Sequence, residues 1–262
     1  MRIELTTEPG DPGRPNEDYA SVAVPAHGQG GTLVVLDGVT PPPADDGCLH
    51  SVPWFTARLG GALAELSASR RDMTLRDVLA AAIARTADAH RATCDLSHPR
   101  TPQATVVLAR WNAEHVEHLV LSDSALLTEA PDGSVTALLD DRLDRVPRSS
   151  LVSDAVADAT VRNKEGGFFT AAADPAVAAR AVTGTLPRAE VRALAALTDG
   201  ATRWVEKFHE GDWTDLFTLI RKEGAEAVVA RVRALEQSDA QVCTYLRRGK
   251  THDDASIVYA EL

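Results

Sequence analysis

Short apolar runs bounded by turn-forming residues recur along the chain and predict strands. Residues 33–36 form a continuous apolar run, which is typical of a strand buried on both faces. The segment Pro131-Asp132-Gly133-Ser134 is a turn signal that predicts a hairpin between two of the strands. The predicted strands cover residues 2–8, 18–24, 33–36, 103–111, 116–121, 125–129, 135–138, 193–198 and 255–259.

Apolar residues at helical spacing predict two consecutive helices after the third strand. Phe55, Leu59 and Leu63 recur on one face of a helix from about residue 51 to 69. Thr74 is a candidate cap for a second helix that ends near Thr93. Further helical segments are predicted as a short Ala-rich helix opening at Asp174-Pro175, and at residues 214–220 and 224–235.

The order of these elements favours an α+β fold. Runs of strands are interrupted by paired helices, whereas a doubly wound sheet would alternate strands and helices strictly. The Pro41-Pro42-Pro43 run stops any strand after Gly38. Residues 140–175 show no clear period, and Gly166-Gly167 indicates a bend or a mobile loop.

Charge and composition exclude several classes of protein. The 262 residues include 27 Lys and Arg against 38 Asp and Glu, which gives a formal net charge of −11. This balance argues against a protein that binds nucleic acid or an anionic membrane, because either would need a basic face. The N-terminus lacks the apolar stretch of a signal peptide, and no run approaches the length of a membrane span. We therefore expect a cytoplasmic protein.

The three cysteines, Cys48, Cys94 and Cys243, are widely scattered. Their spacing matches neither a zinc motif nor a disulfide framework, which fits a reducing compartment. We expect them to be small buried residues and not nucleophiles.

Five acidic clusters lie beside short apolar runs. Carboxylates at strand ends are held rigidly, and they repel one another if they converge, so a convergent set requires a cation. Oxygen ligands of this kind suit Mg²⁺ or Mn²⁺. The clusters are Asn16-Glu17-Asp18, Asp37-Gly38, Ser122-Asp123-Ser124, Asp199-Gly200 and Asp253-Asp254.

The order and the residues of these clusters resemble the motifs of bacterial members of the metal-dependent serine/threonine phosphatases, the type 2C or PPM family. The matching stretches are residues 14–18, 34–38, 121–124, 197–200 and 253–258. The resemblance therefore covers essentially the whole chain as one phosphatase domain, residues 1–262, with a mobile flap at about 140–175. It implies a four-layer α-β-β-α sandwich of two mostly antiparallel sheets flanked by helix pairs, with the metals at one edge.

The resemblance also implies roles for individual residues around two Mn²⁺ or Mg²⁺ ions, with a third ion in some relatives. Asp37 would bridge both ions, and the Gly38 carbonyl would ligate one of them, since glycine lets the backbone approach an ion. Asp199 and Asp253 would complete the first ion's protein ligands. Glu17 and Asp18 would serve the second ion, partly through water, and Asp123 would help to hold the third.

Arg14 is the candidate phosphate clamp, because a guanidinium matches phosphate oxygens at two points. Here the chain departs from the family, whose arginine lies one residue further from the aspartate. Pro15 also restricts Arg14 to an extended conformation. The alternatives are that Arg2 or another arginine takes this role, or that Arg14 is a solvated surface residue.

Other departures concern the residues around the acidic clusters. Val39 stands where some relatives carry a histidine after Asp-Gly, so His50 and His252 are candidate proton donors, with a surface or structural role favoured for each. Ser122 replaces a glycine, which is tolerable if its φ is negative. Ala125 replaces an arginine. Asp254 replaces an asparagine and adds charge beside the site.

Two aromatic residues and one threonine near the clusters are expected to pack. Thr105 matches a position on a core strand. Trp204 and Phe208 follow Asp199-Gly200 closely and are expected to pack in the core, although they could also shape the mouth of the site.

The leading interpretation is a phosphomonoester hydrolase that removes phosphate from serine or threonine of proteins through a metal-activated water. The alternatives are a phosphatase for small phosphoesters and a non-catalytic module that binds a phosphorylated ligand. Ca²⁺ binding for stability is weaker, because the acidic residues do not form one EF-hand loop. We expect a monomer whose partner is a phosphorylated protein or a small phosphoester, and a flap that influences substrate choice.

Overall fold

A computed structural model describes residues 1–26, 28–41, 46–242 and 250–262 and contains two five-stranded sheets. The first sheet has the order β1-β10-β9-β6-β7, the second has the order β2-β3-β4-β5-β8, and all neighbouring strands are antiparallel. The strands are β1 (Ile3–Glu8), β2 (Tyr19–Ala23), β3 (Gly31–Leu36), β4 (Val106–Trp111), β5 (His115–Leu121), β6 (Ala125–Glu129), β7 (Val135–Leu138), β8 (Val182–Pro187), β9 (Ala193–Leu197) and β10 (Ala255–Glu261). Pro42, Pro43 and Cys243 lie outside the described residues.

The helices form an outer layer on each side of the two sheets. α1 and α2 cover the second sheet, and α5, α6 and α7 cover the first. The α-helices are α1 (Val52–Ser69), α2 (Leu75–His90), α3 (Arg142–Arg145), α4 (Asp154–Thr160), α5 (Asp199–Glu206), α6 (Trp213–Glu223) and α7 (Ala225–Val242). In the described part of the chain, no helix combines the length and the apolar character that crossing a bilayer requires.

Strand β3 shows why the apolar runs are continuous. Leu33 and Val35 pack in the core between the two sheets, whereas Val34 and Leu36 pack against α1 and α2. Successive side chains of a strand point to opposite faces, so a strand covered on both sides must be apolar at every position. All four side chains are fully buried, and the central strands are thereby fixed at the middle of the sandwich.

Local signals explain the ends of the helices. Ser51 and Thr74 cap α1 and α2, because each side chain accepts a hydrogen bond from a backbone N–H of the first turn. Asp212 and Asp215 form a capping box at the start of α6. Both helix pairs therefore begin where the sequence places capping residues.

The α+β sandwich with two antiparallel sheets and helix layers is confirmed, and most elements lie within a few residues of their predicted bounds. The sequence analysis missed β8 as a separate strand, because this edge strand is half exposed and carries Gly184 and Pro187. Helix α5 was not predicted either, because the dipeptide Asp199-Gly200 with which it begins is a common turn sequence. The helix after Asp174-Pro175 is a 3-10 helix, Pro175–Arg180.

The segment from 140 to 175 forms short helices over one end of the sandwich. It includes α3, α4 and a 3-10 turn at Arg148–Leu151. Val146, Ala157, Val161 and Phe168 form a small apolar cluster of their own. Arg100, which follows α2, is ion-paired with Asp158 of α4 and holds this segment against the body of the fold. The predicted mobility of this segment stays a prediction.

The expectation that the cysteines are buried is wrong for Cys48 and Cys94. Both are half-buried, and their sulfur atoms lie 3.0 Å apart. They are separated by 46 residues in sequence, and the folding of α1 and α2 as a pair brings their loops together. Sequence spacing could not reveal this contact.

Candidate metal centre

A cavity of about 590 Å³ opens where the central strands of both sheets end. Asp37 and Gly38 follow β3, Asp199 follows β9, and Asp253 precedes β10. Asp123 lies in the turn between β5 and β6, which connects the two sheets. All five residues line this one cavity, so residues from five predicted strand ends meet at one edge of the sandwich.

Thr105 positions Asp37 directly. The Asp37 N–H donates to Thr105 Oγ1 (3.1 Å), and the Thr105 N–H donates to the Asp37 carbonyl (2.9 Å). The Thr105 hydroxyl also lies 2.6 Å from the Ser124 hydroxyl, beside Asp123. Thr105 is buried and directly precedes β4, which fits its expected structural role, and it also lines the cavity.

Two glycines allow the segments at the site to approach closely. A Cβ at Gly38 would lie 2.4 Å from the Val52 side chain and 2.5 Å from the Glu17 carbonyl oxygen. A Cβ at Gly200 would lie 2.0 Å from the Asp254 carbonyl oxygen. Gly38 is therefore required by packing, which is a different reason from the approach to an ion that the sequence suggested.

Asp199 begins α5 and contacts Asp37 through its backbone. The Asp199 N–H donates to Asp37 Oδ2 at 3.3 Å. Thr198, which is fully buried before it, donates its hydroxyl to Asp18 Oδ2 (2.9 Å) and accepts from the Ser256 N–H (2.9 Å). Asp18, Asp37 and Asp199 are thus linked through the first turn of α5.

Asp253 is paired with two basic residues that the sequence analysis did not identify. Arg203 donates to Asp253 Oδ2 at 3.0 Å and also to the buried Glu236 at 2.6 Å. Lys250 donates to Asp253 Oδ1 at 2.8 Å and to the Thr40 hydroxyl at 2.7 Å. Arg203 lies four residues after Asp199, one helical turn along α5, and that spacing is the only sequence signal for it.

The carboxylates of the site raise one another's pKa. Burial raises the pKa of Asp37 well above its usual value, and Asp199 and Asp18 raise it further. Burial raises the pKa of Asp199 to about 7, with repulsion from Asp253 and Asp123 as the next causes. Burial likewise raises the pKa of Asp18 to about 8, with Asp254 and Asp199 adding to it against hydrogen bonds from Ser256 and Thr198. A bound cation would reverse these shifts.

The donor set fits hard divalent cations that keep part of their water. Asp18 Oδ1 is buried and has no hydrogen-bond partner among the described residues. Among those residues, no three of the site's carboxylates bring oxygens within 4.8 Å of one another. Mg²⁺ and similar ions suit this arrangement, because they take one or two carboxylates and retain several waters.

Glu17 and Arg14 line a neighbouring cavity of about 180 Å³. Glu17 accepts a hydrogen bond from the Thr40 hydroxyl, and burial raises its pKa. Arg14 is exposed. Lys250 and Asp253 line both cavities, so they stand between the two groups of predicted site residues.

Asp254 organises the loop that carries Glu17. Its Oδ1 accepts from the Gly10 N–H (2.8 Å) and its Oδ2 accepts from the Glu17 N–H (2.6 Å). An asparagine has only one side-chain oxygen that can accept, so it could not make both bonds in this way. The aspartate therefore adds a positioning role as well as the charge noted from sequence.

Ser122 has a φ of +70°, in the left-handed region. The condition of a negative φ, under which serine was expected to replace glycine without strain, is therefore not met. The Ser122 N–H donates to Asp140 Oδ2 (2.8 Å), and its hydroxyl donates to Asp123 Oδ1 (3.1 Å). These bonds hold a strained residue next to a predicted metal ligand.

We expect Ser122→Gly to stabilise the protein relative to Ser122→Ala by about 1–2 kcal/mol, because both lose the hydroxyl and only alanine keeps the strained Cβ. Denaturant unfolding of the two variants measures the difference. Equal stability would show that the left-handed conformation carries no penalty here.

The histidines considered as proton donors contact other partners. His252 Nδ1 lies 2.7 Å from the Glu236 carboxylate, and His50 packs on Trp54 away from the carboxylates. Both occupy the structural roles that were favoured. Trp204 and Phe208 pack in the core under the first sheet, so their packing role is confirmed.

Comparison with known proteins identifies the family and the fold of this chain. A family model described as protein phosphatase 2C matches residues 11–235. The fold is similar to that of the serine/threonine phosphatase Stp1 from Staphylococcus aureus, with a TM-score of 0.63 and 13% identity over 100% of this chain and 95% of that chain. It is also similar to the Mycobacterium tuberculosis serine/threonine phosphatase PstP/Ppp, with a TM-score of 0.59 and 18% identity over 100% of this chain and 98% of that chain.

A third similar structure is the PPM Ser-Thr phosphatase MsPP from Mycobacterium smegmatis in complex with cacodylate, with a TM-score of 0.57 and 16% identity over 100% of this chain and 98% of that chain. Comparison with curated proteins finds no match. At these identities the solved structures establish the fold, and the family model, which spans most of the chain, establishes the family. The chain therefore belongs to the protein phosphatase 2C family, and its family and fold support a metal-dependent protein serine/threonine phosphatase.

Proposed function

We propose that this phosphatase uses Mg²⁺ or Mn²⁺ held by the acidic residues of the 590 Å³ cavity. The observation that carries this proposal is the meeting of Asp37, Asp123, Asp199 and Asp253 in one cavity, where burial raises the pKa of Asp37, Asp123 and Asp199. When bound, such cations lower the pKa of a coordinated water and offset charge on phosphoryl oxygens. Asp37 would contact both ions and the Gly38 carbonyl one of them, and Asp199 and Asp253 would complete the protein ligands of the first ion.

Glu17 and Asp18 would act on the side of the second ion. Glu17 lies in the neighbouring cavity and Asp18 lies beside Thr198, so their contribution would pass partly through water. Asp123 would serve a third ion. It also lines a smaller acidic cavity with Asp144 and Glu206, and burial raises the pKa of Glu206.

Basic residues around the cavity suit recognition of a phosphate dianion. Lys207, Arg148, Arg162 and Lys250 line the cavity that holds the carboxylates. Burial lowers the pKa of Lys250, but the Asp253 carboxylate outweighs this and holds the pKa above its usual value, so the side chain is a cation. Arg14, which the sequence analysis identified as the clamp, would reach the phosphate from the neighbouring cavity.

We expect Lys250→Met to lower kcat/KM for a phosphopeptide by about tenfold, since loss of one charged contact to phosphate corresponds to about 1.4 kcal/mol. Arg14→Met should lower it by less than about threefold, because Arg14 is exposed and lines only the neighbouring cavity. Steady-state kinetics at saturating metal measure both. A larger loss of kcat/KM for Arg14→Met than for Lys250→Met would identify Arg14 as the main phosphate-binding residue.

The proposed substrate is a phosphoserine or phosphothreonine residue of a protein. The segment from 140 to 175 contributes Leu143, Val146, Leu151 and Phe168 to the cavity wall, which gives the phosphate site an apolar neighbour that a peptide could contact. A small phosphoester would use the carboxylates and cations alone. Substrate choice by this segment is therefore part of the proposal.

Purified protein assayed with Mn²⁺, Mg²⁺ or EDTA on phosphopeptides, p-nitrophenyl phosphate and small phosphoesters tests the proposed function. We expect metal-dependent hydrolysis with the highest kcat/KM on phosphopeptides. A preference for small phosphoesters would support the alternative substrate class. Folded protein that binds metal and phosphopeptide without hydrolysis would instead support the binding module. A cytoplasmic monomer remains the prediction from sequence.

A further inference from the structure

A second group of metal-ligating side chains lies outside the acidic cavity. Cys48 and His50 belong to the loop before α1, and Cys94 belongs to the loop after α2. The two sulfur atoms are 3.0 Å apart, and His50 Nδ1 lies 3.3 Å from Cys94 Sγ and 3.8 Å from Cys48 Sγ. Among the described residues this is the set of three such side chains whose ligand atoms all lie within 4.8 Å of one another.

One backbone hydrogen bond joins the two loops independently of the thiols, and a second bond, to the Asp46 side chain, shapes the first loop. The Asp95 N–H donates to the Gly47 carbonyl at 2.7 Å, and the Cys48 N–H donates to Asp46 Oδ1 at 2.9 Å. The Leu49 N–H points at Cys94 Sγ at 3.3 Å, as a backbone donor does toward a thiolate ligand. The approach of the two loops therefore has a support that does not depend on a bound ion.

Aromatic packing orients the imidazole toward the sulfurs. The His50 ring stacks on Trp54 with centroids 4.0 Å apart. His90, which is buried, contacts both rings edge-on at 5.8 Å and 5.3 Å. These contacts place His50 Nδ1 beside the two sulfur atoms and limit rotation of the ring.

Two sulfur ligands and one imidazole are a donor set that zinc prefers. Bond lengths of about 2.3 Å to sulfur and 2.0–2.1 Å to nitrogen in a tetrahedron place the sulfurs about 3.8 Å apart and sulfur and nitrogen about 3.6 Å apart. The distances from His50 Nδ1 to the two sulfur atoms, 3.3 Å and 3.8 Å, lie on either side of the sulfur–nitrogen separation that a tetrahedral zinc site requires. The sulfur atoms, which are 3.0 Å apart, would need to separate by less than about 1 Å. The three side chains are half-buried, so solvent can supply a fourth ligand.

We propose that Cys48, His50 and Cys94 bind one Zn²⁺ ion at a site separate from the catalytic carboxylates. The ion would tie the loop between Gly38 and α1 to the loop after α2. Val52, at the start of α1, packs directly against Gly38, so the site supports the position of a predicted catalytic backbone group. A disulfide between the cysteines is the competing chemistry, but it would leave the approach of His50 Nδ1 to both sulfurs without a role.

Titration of the full-length protein with Co²⁺ and then Zn²⁺ tests the proposal. The protein is kept reduced with a phosphine and in a large excess of Mg²⁺ to limit uptake of the added ion by the carboxylates, and oxygen ligands cannot produce a sulfur-to-cobalt band. We expect one equivalent of Co²⁺ to produce a sulfur-to-cobalt charge-transfer band, and Zn²⁺ to displace it. Folded, reduced protein that shows no such band would overturn the proposal.

Variants assign the band to the three side chains. Cys48→Ser and Cys94→Ser should each weaken zinc binding by more than about 100-fold. Loss of a residue that only hydrogen-bonds to a metal ligand already costs about 10–100-fold in affinity, and loss of the ligand itself should cost more. His50→Phe keeps an aromatic ring against Trp54 and should also lose affinity. Cys243→Ser is the matched thiol control and Asp37→Asn controls for the carboxylate site; both should keep the band.

Two further results would contradict the assignment. One is a band that survives both Cys48→Ser and Cys94→Ser. The other is reduced protein that binds no zinc but loses two thiols on mild oxidation, with the loss abolished by Cys94→Ser, which would identify a redox pair. Circular dichroism of each variant separates loss of the site from loss of the fold.

Discussion

Replacing Asp37 by asparagine is expected to lower kcat/KM for metal-dependent phosphate hydrolysis by at least about 10³-fold. Asp37 is the carboxylate whose pKa is raised by burial and then by Asp199, Asp18, Asp123 and Asp253, so it lies at the centre of the acidic set. A neutral amide removes the charge that would bridge two cations. Hydrolysis of p-nitrophenyl phosphate across a range of Mn²⁺ concentrations measures the loss.

The same substitution should raise stability when no metal is bound. Asparagine removes one of the mutually repelling charges, and its side-chain oxygen can still accept the hydrogen bond from the Asp199 N–H. We therefore expect a higher melting temperature than wild type in EDTA, together with the loss of activity. This combination separates a role in metal binding from a folding defect.

Asp132→Asn is the matched control for charge removal. Asp132 lies in the exposed turn between β6 and β7, outside the acidic cavity, and accepts from the Ser134 N–H and hydroxyl. It should keep activity within about twofold of wild type. Wild-type activity in Asp37→Asn would contradict the assigned site, whichever metal is supplied.

Metal-free protein is expected to lose stability as the pH rises from about 5 to about 8, by on the order of 3 kcal/mol, or roughly 10 °C in melting temperature. Burial, followed by repulsion among the carboxylates, raises the pKa of Asp199 to about 7 and that of Asp18 to about 8. Because these values lie above those of the unfolded chain, the folded state binds more protons than the unfolded state over this range.

The sign follows from this difference in bound protons. A group with a raised pKa contributes its full stability below the unfolded pKa of about 4, and the contribution is lost as the pH passes through the folded value. Bound Mg²⁺ or Mn²⁺ should abolish the loss, because a cation favours the ionised carboxylates. Stability should then stay nearly constant between about pH 5 and about pH 8.

Thermal unfolding in EDTA and in excess Mg²⁺ at several pH values measures both curves. Asp37→Asn should flatten the EDTA curve, whereas Asp132→Asn should leave it unchanged, because Asp132 is exposed and its pKa is lowered by hydrogen bonds from Ser134. If the melting temperature in EDTA instead rises with pH, the carboxylates do not destabilise the folded state when they ionise.

The linear pattern was sufficient for the elements that depend on neighbours along the chain. The run at 33–36 identified a doubly covered strand, and the spacing of Phe55, Leu59 and Leu63 identified α1, because periodicity of 2 or 3.6 residues reports which faces are buried. The order of the acidic clusters located Asp37, Asp123, Asp199 and Asp253, which line one cavity. These residues lie next to strands whose ends the sandwich brings to one edge.

Features that depend on contacts between distant segments could not be read in this way. Arg203 reaches Asp253, Lys250 reaches Thr40, and Asp254 holds the loop before β2, and each of these contacts joins segments that are far apart in sequence. The left-handed φ of Ser122 depends on the connection between the two sheets, and the approach of Cys48 to Cys94 depends on how α1 and α2 pair. Local periodicity specifies buried faces, whereas the distance between side chains far apart in sequence is set by how those faces pack.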